Sequence, residues 1–167
     1  MRPLRAEDIA GVAAAFASIG WGGKTEAQFE KYLAEHEAET RVTRFAFADG
    51  AFVGYLNILW QSYYPPFAEA LVPEINDFNV LPTARRGGIG TALMDEAERV
   101  IAARSAVAGI GVGMTADYGA AQRLYVRRGY LPDGRGLMTH ERPVIAGESV
   151  LVDDGLALYF TKRLSAA

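Results

Sequence analysis

The chain contains no cysteine, and histidine is nearly absent, with only His36 and His140 among 167 residues. The lack of cysteine excludes disulfides, thiol nucleophiles and thiolate metal ligands, and it is typical of a protein from the reducing cytoplasm. Two histidines far apart in the chain do not form a Ser-His-Asp set or a histidine metal site, and we expect no bound metal.

Long apolar runs and a positive charge excess are also missing. No stretch reaches the ~18 apolar residues that a membrane-spanning helix needs. The formal net charge of −3 gives no reason to expect nucleic acid or a membrane surface as a partner. Arg2 and Arg5 precede an alanine-rich stretch, residues 9–20, in the manner of a secretory signal. Glu7 and Asp8 fall where such a signal is positive, so we interpret the stretch as a first helix and expect a cytoplasmic protein.

The chain has the size and composition of one globular domain, which we assign to residues 1–167. Asp49-Gly50 lies between two apolar segments and predicts a β-hairpin. Beyond the hairpin, strands alternate with helices, which predicts an α/β fold with a mixed, mostly antiparallel central sheet and helices on both faces. We predict strands over residues 2–5, 41–48, 52–61, 74–80, 106–114 and 156–162. We predict helices over residues 9–20, 25–39, 88–104 and 119–128 and a loop over 63–66, and we leave the role of 131–155 open.

A glycine-rich turn, Arg85-Arg86-Gly87-Gly88-Ile89-Gly90-Thr91, joins a predicted strand to a predicted helix. The start of a helix leaves backbone N–H groups unpaired and carries about half a positive charge. Glycines let phosphates approach these groups, and the two arginines add charge-assisted donors. The turn therefore predicts a site for a diphosphate-bearing cofactor, with a plain turn bearing solvated arginines as the alternative.

Other phosphate motifs fit less well. The Gly-Lys-Ser/Thr ending of a nucleotide-binding phosphate loop does not occur. Residues 111–116, Gly-Val-Gly-Met-Thr-Ala, match a dinucleotide fingerprint, with Asp133 at a suitable distance beyond. This segment lies too near the C-terminus to leave room for the rest of a doubly wound sheet. A nicotinamide or flavin enzyme is therefore the weaker alternative.

Two motifs resemble those of a known family. Arg85-x-x-Gly88-x-Gly90 looks like the acetyl-CoA signature of the GCN5-related N-acetyltransferases (GNAT family). Residues 120–125, Ala-Ala-Gln-Arg-Leu-Tyr, followed by Gly129-Tyr130, resemble that family's second motif. The motifs stand in the family's order and at its usual separation. The specific part of the resemblance covers residues 74–130, and the remainder matches only coarsely.

The resemblance implies the acyl-CoA N-acyltransferase fold, whose fourth and fifth strands splay apart, and acetyl-CoA as co-substrate. It implies that pantetheine would bind along the backbone of Phe78, Asn79 and Val80. The pyrophosphate would lie on the turn formed by Arg85, Arg86, Gly87, Gly88, Ile89, Gly90 and Thr91. Tyr125 would face the thioester sulfur. Tyr118 stands where the family often has asparagine, which puts the cofactor contacts of that position in doubt.

Acyl transfer to an amine needs a neutral nucleophile, and a lysine-like amine is only about 0.04% neutral at pH 7. A carboxylate can take the proton through water, and with no cysteine available the amine attacks the thioester directly. Strand alternation places Glu74 on one face with Asn76, Phe78 and Val80, and Asp77 on the other. We therefore predict Glu74 as the base, with Asp77 as the alternative if a bulge turns it inward.

Tyr125 is the candidate proton donor to the leaving thiolate, with core packing as the alternative. An aromatic group, comprising Trp60, Tyr63, Tyr64 and Phe67, is a candidate wall of the substrate cleft. The sequence thus predicts an N-acetyltransferase acting on a small-molecule or peptide amine, as a monomer or homodimer. A non-catalytic acyl-CoA sensor of the same fold is the alternative, and the acceptor and the acyl length are left open.

Overall fold

The computed structural model describes residues 1–139 and 142–165, so His140 lies outside the described residues. The α-helices are α1 (Ile9–Ser18), α2 (Glu26–Glu37), α3 (Pro65–Glu69), α4 (Ile89–Ala102) and α5 (Gly119–Arg127). The strands are β1 (Arg2–Pro3), β2 (Arg41–Ala48), β3 (Ala51–Leu59), β4 (Glu74–Val80), β5 (Val107–Gly113), β6 (Leu131–Met138) and β7 (Ala157–Arg163). Short 3-10 turns cover residues 6–8, 82–84 and 116–118.

All seven strands form one sheet in the order β1-β2-β3-β4-β5-β7-β6. Every neighbouring pair is antiparallel except β4 and β5, which run parallel. The mostly antiparallel sheet confirms the predicted fold class.

The β2–β3 hairpin forms where the sequence predicts it. Ala48 pairs with Ala51, so the connection has two residues, and both Asp49 and Gly50 have positive φ angles, 49° and 80°. This is the backbone of a type I′ turn, whose twist matches that of the flanking strands. The hairpin supplies β3, the antiparallel neighbour of β4 on the side away from β5.

Helices cover both faces of the sheet. On one face α1 and α2 pack with strand residues into an aromatic-rich core, in which Phe16, Phe29, Phe45 and Tyr55 are fully buried. Each such ring removes roughly 150–250 Å² from water, so this layer firmly attaches α2 to the sheet. On the other face α4 buries Leu93, Met94, Ala97 and Ile101 against β3, β4 and β5, and Tyr125 of α5 joins the same core.

Several boundaries follow from local chemistry. Thr25 caps α2, where its hydroxyl accepts from the Gln28 N–H at 3.3 Å, which confirms the predicted helix start. Gly129 follows α5 with φ 84°, the left-handed conformation expected after a helix end.

One predicted connection is wrong, and a second segment contains a strand for which no prediction was made. Residues 63–66 are not simply a loop, because Pro65 and Pro66 open α3, where their missing N–H groups cost no hydrogen bond. Part of the segment 131–155 is strand β6, which pairs with β7 only at Leu131–Pro132 and Leu137–Met138. No helix within residues 1–139 and 142–165 is long and apolar enough to cross a membrane.

Candidate active site

Strands β4 and β5 form a fork. They pair at two positions only, Glu74 with Gly109 and Ile75 with Ile110, and separate beyond them. A cleft of about 430 Å³ lies at the fork, and a second of about 870 Å³ adjoins it. Asp77, Phe78, Asn79 and Tyr118 line both clefts. The splaying of the fourth and fifth strands that the resemblance implied is thus present in the sheet.

Glu74 lies at the base of the fork with only 5% of its surface exposed. Its carboxylate accepts hydrogen bonds from the Ser62 hydroxyl and, at 3.2 Å, from the Asn76 amide. Burial raises the pKa of Glu74 above its ordinary value, and the two hydrogen bonds oppose that rise only in part. A carboxylate with a raised pKa is a better proton acceptor, and this one faces the 430 Å³ cleft.

Strand β4 does not alternate regularly beyond Asn76. Asn57 of β3 pairs with Asn76, but Tyr55 pairs with Asn79, so β4 has one extra residue between these rungs. Asp77 within this bulge has φ 47°, which a non-glycine residue rarely adopts.

The bulge corrects the predicted faces of the strand. Asp77 is not on the face opposite Glu74, because it meets Tyr32 and Tyr55 on the side that carries α1 and α2. Phe78 and Val80, expected beside Glu74, pack instead against the α4 core with Ile75. Glu74 and Asn76 remain neighbours, as their hydrogen bond shows.

Asp77 is held by groups from several elements. Its Oδ1 accepts from the Lys24 ammonium and from the Asn79 amide at 2.8 Å. Its Oδ2 accepts from the hydroxyl groups of Tyr32, at 2.8 Å, and Tyr55. Burial pushes the pKa of Asp77 upward, but the ammonium and the hydroxyl groups outweigh it, so the pKa lies below its ordinary value. Asp77 is therefore a weaker proton acceptor than Glu74.

Tyr125 of α5 is 4% exposed and lines the same cleft as Glu74. Burial raises its pKa well above the ordinary value, with a smaller contribution from Tyr118. The phenol therefore stays protonated at neutral pH, as a proton donor requires. Its ring also packs in the α4 core, 6.1 Å from the Tyr130 ring, so the packing and cleft-lining interpretations describe different sides of one residue.

Tyr118 closes the β5 side of the junction between the two clefts. Its hydroxyl donates to Asp154 at 2.9 Å, and burial with this contact raises the pKa of Tyr118 to about 12. Its ring lies so close to Gly113 that a Cβ there would come within 2.5 Å of it, and Tyr159 crowds Gly111 in the same way. These glycines lie inside β5 and make room for rings, which accounts for the dinucleotide-like spacing without a phosphate site.

The glycine-rich turn borders the larger cleft, lined by Arg85, Arg86 and Gly90. Arg86 and Gly88 have φ angles of 65° and 81°, and α4 begins directly after them. The first helical hydrogen bond joins Ala92 N–H to Gly88 C=O, so the N–H groups of residues 89–91 precede it and are available to an anion. A Cβ on Gly90 would come within 3.4 Å of the Phe78 ring, so glycine keeps this approach open.

The predicted aromatic wall is only partly present. Tyr63 and Tyr64 line the smaller cleft, and Tyr64 stacks on Tyr159 at 3.7 Å between ring centroids. Trp60 instead lies beneath Arg104, at 4.4 Å, and Phe67 packs against Gly109 in the core. Sequence reasoning missed Tyr159, Asp154, Ser62 and Lys24. No spacing signal relates them to the site, since Lys24 and Asp77 are 53 residues apart.

Family membership follows from the comparison of the sequence with family models. Residues 7–130 match the model described as the Acetyltransferase (GNAT) family, which spans well over half of the chain. The chain therefore belongs to the GNAT acetyltransferases, as its two motifs indicate. No curated protein matches the sequence significantly.

Solved structures share the fold over nearly the whole chain. An N-acetyltransferase from Staphylococcus aureus Mu50 aligns with a TM-score of 0.71 at 15% identity, covering 98% of this chain and 97% of that chain. A ribosomal-protein-alanine N-acetyltransferase from Brucella melitensis gives 0.68 at 18% identity, with 98% of both chains covered. The PaiA N-acetyltransferase from Thermoplasma acidophilum, solved in complex with coenzyme A, gives 0.62 at 14% identity, covering 97% and 96%.

Proposed function

We propose that this protein is an acetyl-CoA-dependent N-acetyltransferase that acetylates a primary amine of a small molecule or peptide by direct attack. The observation that carries the proposal is the placement of a buried carboxylate, Glu74, and a protonated phenol, Tyr125, on one cleft at the β4–β5 fork. The larger cleft adjoins it and is bordered by the turn at residues 85–91, where the phosphates of acetyl-CoA would bind. Membership in the GNAT family supports this assignment.

Each part of the site has one task in this reaction. The arginines and the first N–H groups of α4 bind pyrophosphate. Beyond Ile75 the β4 edge that faces β5 has no strand partner among the described residues, so the backbone of Phe78, Asn79 and Val80 can bind the amides of pantetheine. Tyr118, between the clefts, lies beside the path from pantetheine to the acetyl group.

The chemistry then follows from the two protonation states. Glu74 removes a proton from the ammonium, through water, and the neutral nitrogen attacks the thioester carbonyl carbon. As the C–S bond breaks, the nitrogen of the new C–N bond releases its extra proton to water, and the departing sulfur accepts a hydrogen bond or a proton from Tyr125. With a thiol pKa of about 8.5 and tyrosine near 10 or higher, full transfer is uphill, so hydrogen-bond assistance is the better description.

The acceptor class follows from the cost of a neutral amine. Deprotonation at pH 7 costs roughly 4.6 kcal/mol for a lysine-like amine and about 1.4 kcal/mol for an α-amine with a pKa near 8. Two structural relatives are named for acetylating ribosomal proteins, one at alanine and one at the α-amine of L7/L12. A peptide α-amine therefore belongs in the first panel of acceptors, beside small primary amines.

The test is thiol release from acetyl-CoA in the presence of such a panel, followed by mass spectrometry of the acceptor. We expect amine-dependent release of coenzyme A and a gain of one acetyl group on the amine. Tight binding of acetyl-CoA without turnover on any amine would instead support an acyl-CoA sensor and contradict catalysis.

Replacing Tyr125 with phenylalanine should lower kcat with little change in the affinity for acetyl-CoA, because the ring still packs and only the hydroxyl is lost. Loss of one proton donor typically costs about 10²-fold or more when the leaving group depends on it. Steady-state kinetics with a measured coenzyme A affinity would separate the two effects.

Tyr130→Phe is the matched control for Tyr125→Phe, since Tyr130 is also buried in the α4 core but does not line the cleft. It should retain wild-type kcat. An unchanged kcat in Tyr125→Phe, with chemistry shown to be rate-limiting, would restrict Tyr125 to packing.

A further inference from the structure

The strained bulge of β4 has a carboxylate at its centre that the proposed chemistry does not use. Asp77 holds a left-handed backbone conformation at the point where β4 leaves β5, and such a conformation persists only where surrounding contacts impose it. The residue is largely buried, with 16% of its side chain exposed. Its contacts therefore determine the shape of the backbone that faces the fork.

Those contacts come from three separate parts of the chain. Tyr32 lies on α2, Tyr55 lies on β3, and Lys24 lies on the connection between α1 and α2. Lys24 also sits 5.8 Å from the centre of the Tyr55 ring, so the ammonium is enclosed by the same group of side chains. Both carboxylate oxygens of Asp77 are engaged, each by two donors.

The α1–α2 connection also reaches the cofactor end of the site. Trp21, Gly23 and Lys24 line the 870 Å³ cleft together with Arg85 and Arg86. The Arg85 guanidinium lies 5.8 Å from the centre of the Trp21 ring. One short connection thus touches the phosphate turn through Trp21 and the β4 bulge through Lys24.

We infer that Asp77 is a positioning residue. Its ion pair with Lys24 holds the α1–α2 connection against the β4 bulge, so that the lining of the 870 Å³ cleft and the conformation of the β4 backbone at the fork depend on the same contact. Lys24 is the specific partner in this arrangement, because it is the one cation on Asp77 among the described residues. The inference rests on the proposed function, since it assigns these residues to the donor side of the same site.

A base role for Asp77 predicts different behaviour. A base must have a lone pair free for the substrate amine or its water, whereas the four donors already occupy both Asp77 oxygens. The pairing with Lys24 also favours the ionised form, which weakens Asp77 as a proton acceptor. Glu74, at the other end of the strand, accepts one hydrogen bond on each oxygen and has a raised pKa.

The experiment is a double-mutant cycle with Lys24→Met, Asp77→Asn and the combined variant, measured as kcat and KM over pH with acetyl-CoA and the best amine. Coenzyme A affinity by calorimetry and thermal unfolding accompany each variant. We expect either single change to raise the KM for acetyl-CoA about tenfold, and the combined variant to be no worse than the singles, as coupled neighbours behave. The acidic limb of the pH profile should remain in all three variants.

Two outcomes would overturn the inference. Asp77→Asn could lose the acidic limb with a large fall in kcat while Lys24→Met stays near wild type, which would make Asp77 the base. Alternatively, the two single effects could simply multiply in the combined variant, which would make the residues independent. If Asp77→Asn does not fold, Lys24→Met must still show the weaker affinity for the acetyl donor, and Lys24→Arg must retain the wild-type affinity. Otherwise the inference fails. Calorimetry measures the affinity for coenzyme A even if no amine is acetylated. Failure of this inference can therefore be distinguished from failure of the proposed function.

Discussion

Glu74→Gln should lower kcat/KM by about 10²–10⁴, the usual contribution of a positioned general base. Glutamine keeps the shape of the side chain, and its amide oxygen can still accept from Asn76 while its NH2 group, in place of Oε2, donates to the Ser62 hydroxyl, so the loss reports on the proton-accepting charge. The effect should appear in kcat as well as in kcat/KM, because the amine must lose its proton after it has bound.

The pH profile gives the second signature of this variant. Burial raises the pKa of Glu74, so the wild-type rate should climb with pH as Glu74 becomes ionised, along a limb displaced upward from an ordinary glutamate. Glu74→Gln has no proton to lose and should show a flattened acidic limb. Rates measured over a pH series, with acceptor concentrations held above KM, would show the difference.

The stability of the fold should change in the opposite sense to the rate, because Glu74→Gln lowers activity but removes the cost of a buried charge. Because the folded-state pKa of Glu74 lies above the unfolded value, the fold favours the protonated form, and the ionised carboxylate costs stability at any pH above the folded pKa. Below the unfolded pKa that cost disappears. Relative to wild type, the free energy of unfolding of Glu74→Gln should therefore be larger at pH 8 than at pH 4, so that the variant gains stability as the pH rises.

Glu96→Gln is the matched control for Glu74→Gln. Glu96 is a partly buried glutamate of α4 that pairs with Arg44 and Arg99, away from both clefts. It should retain the wild-type rate and acidic limb. A full rate in Glu74→Gln would exclude Glu74 as the base and leave the amine to arrive neutral or to lose its proton to water.

Gly88→Glu should reduce the affinity for acetyl-CoA by about 100-fold or more. Gly88 has φ 81° directly before α4, so any side chain strains the turn, and a Cβ there meets no protein atom within 4 Å. The new carboxylate would extend into the space where the phosphates bind, and bringing like charges together costs several kcal/mol. Calorimetric titration with acetyl-CoA measures the loss directly.

Gly147→Glu separates the local effect from general strain. Gly147 also has a positive φ, 88°, and open space around its Cβ, but it lies in the surface segment before β7 and lines neither cleft. It introduces the same strain and charge and should leave the affinity unchanged. Wild-type affinity in Gly88→Glu would remove the phosphate site from this turn.

Sequence patterns predicted those parts of the fold that are determined locally. Asp49-Gly50 specifies its own turn type, Thr25 caps the helix it precedes, and Gly88 of the phosphate turn adopts a positive φ that glycine permits. The two GNAT motifs are short and continuous in the chain, so the family was recognisable without any tertiary information.

The bulge of β4 could not be located this way. Alternation assumes a regular pleat, whereas the extra residue at Asp77 is held by Lys24, Tyr32 and Tyr55, which lie 53, 45 and 22 residues away. Strand β6 was missed for a related reason. Pro132, Gly134 and Gly136 have low strand propensity, and pairing with β7 at its two ends makes the segment a strand.

The outer edges of the sheet are poor templates for another chain. At one edge β1 has only two residues and ends in proline, and at the other β6 is irregular, with a proline and two glycines. The β4 side of the fork, in contrast, lies inside the sheet between two covered faces. Its backbone borders the clefts between the strands, and the Val80 carbonyl there already accepts from the Arg85 guanidinium at 3.2 Å. The unpaired part of the sheet is thus internal, between β4 and β5, and neither outer edge presents a long regular strand.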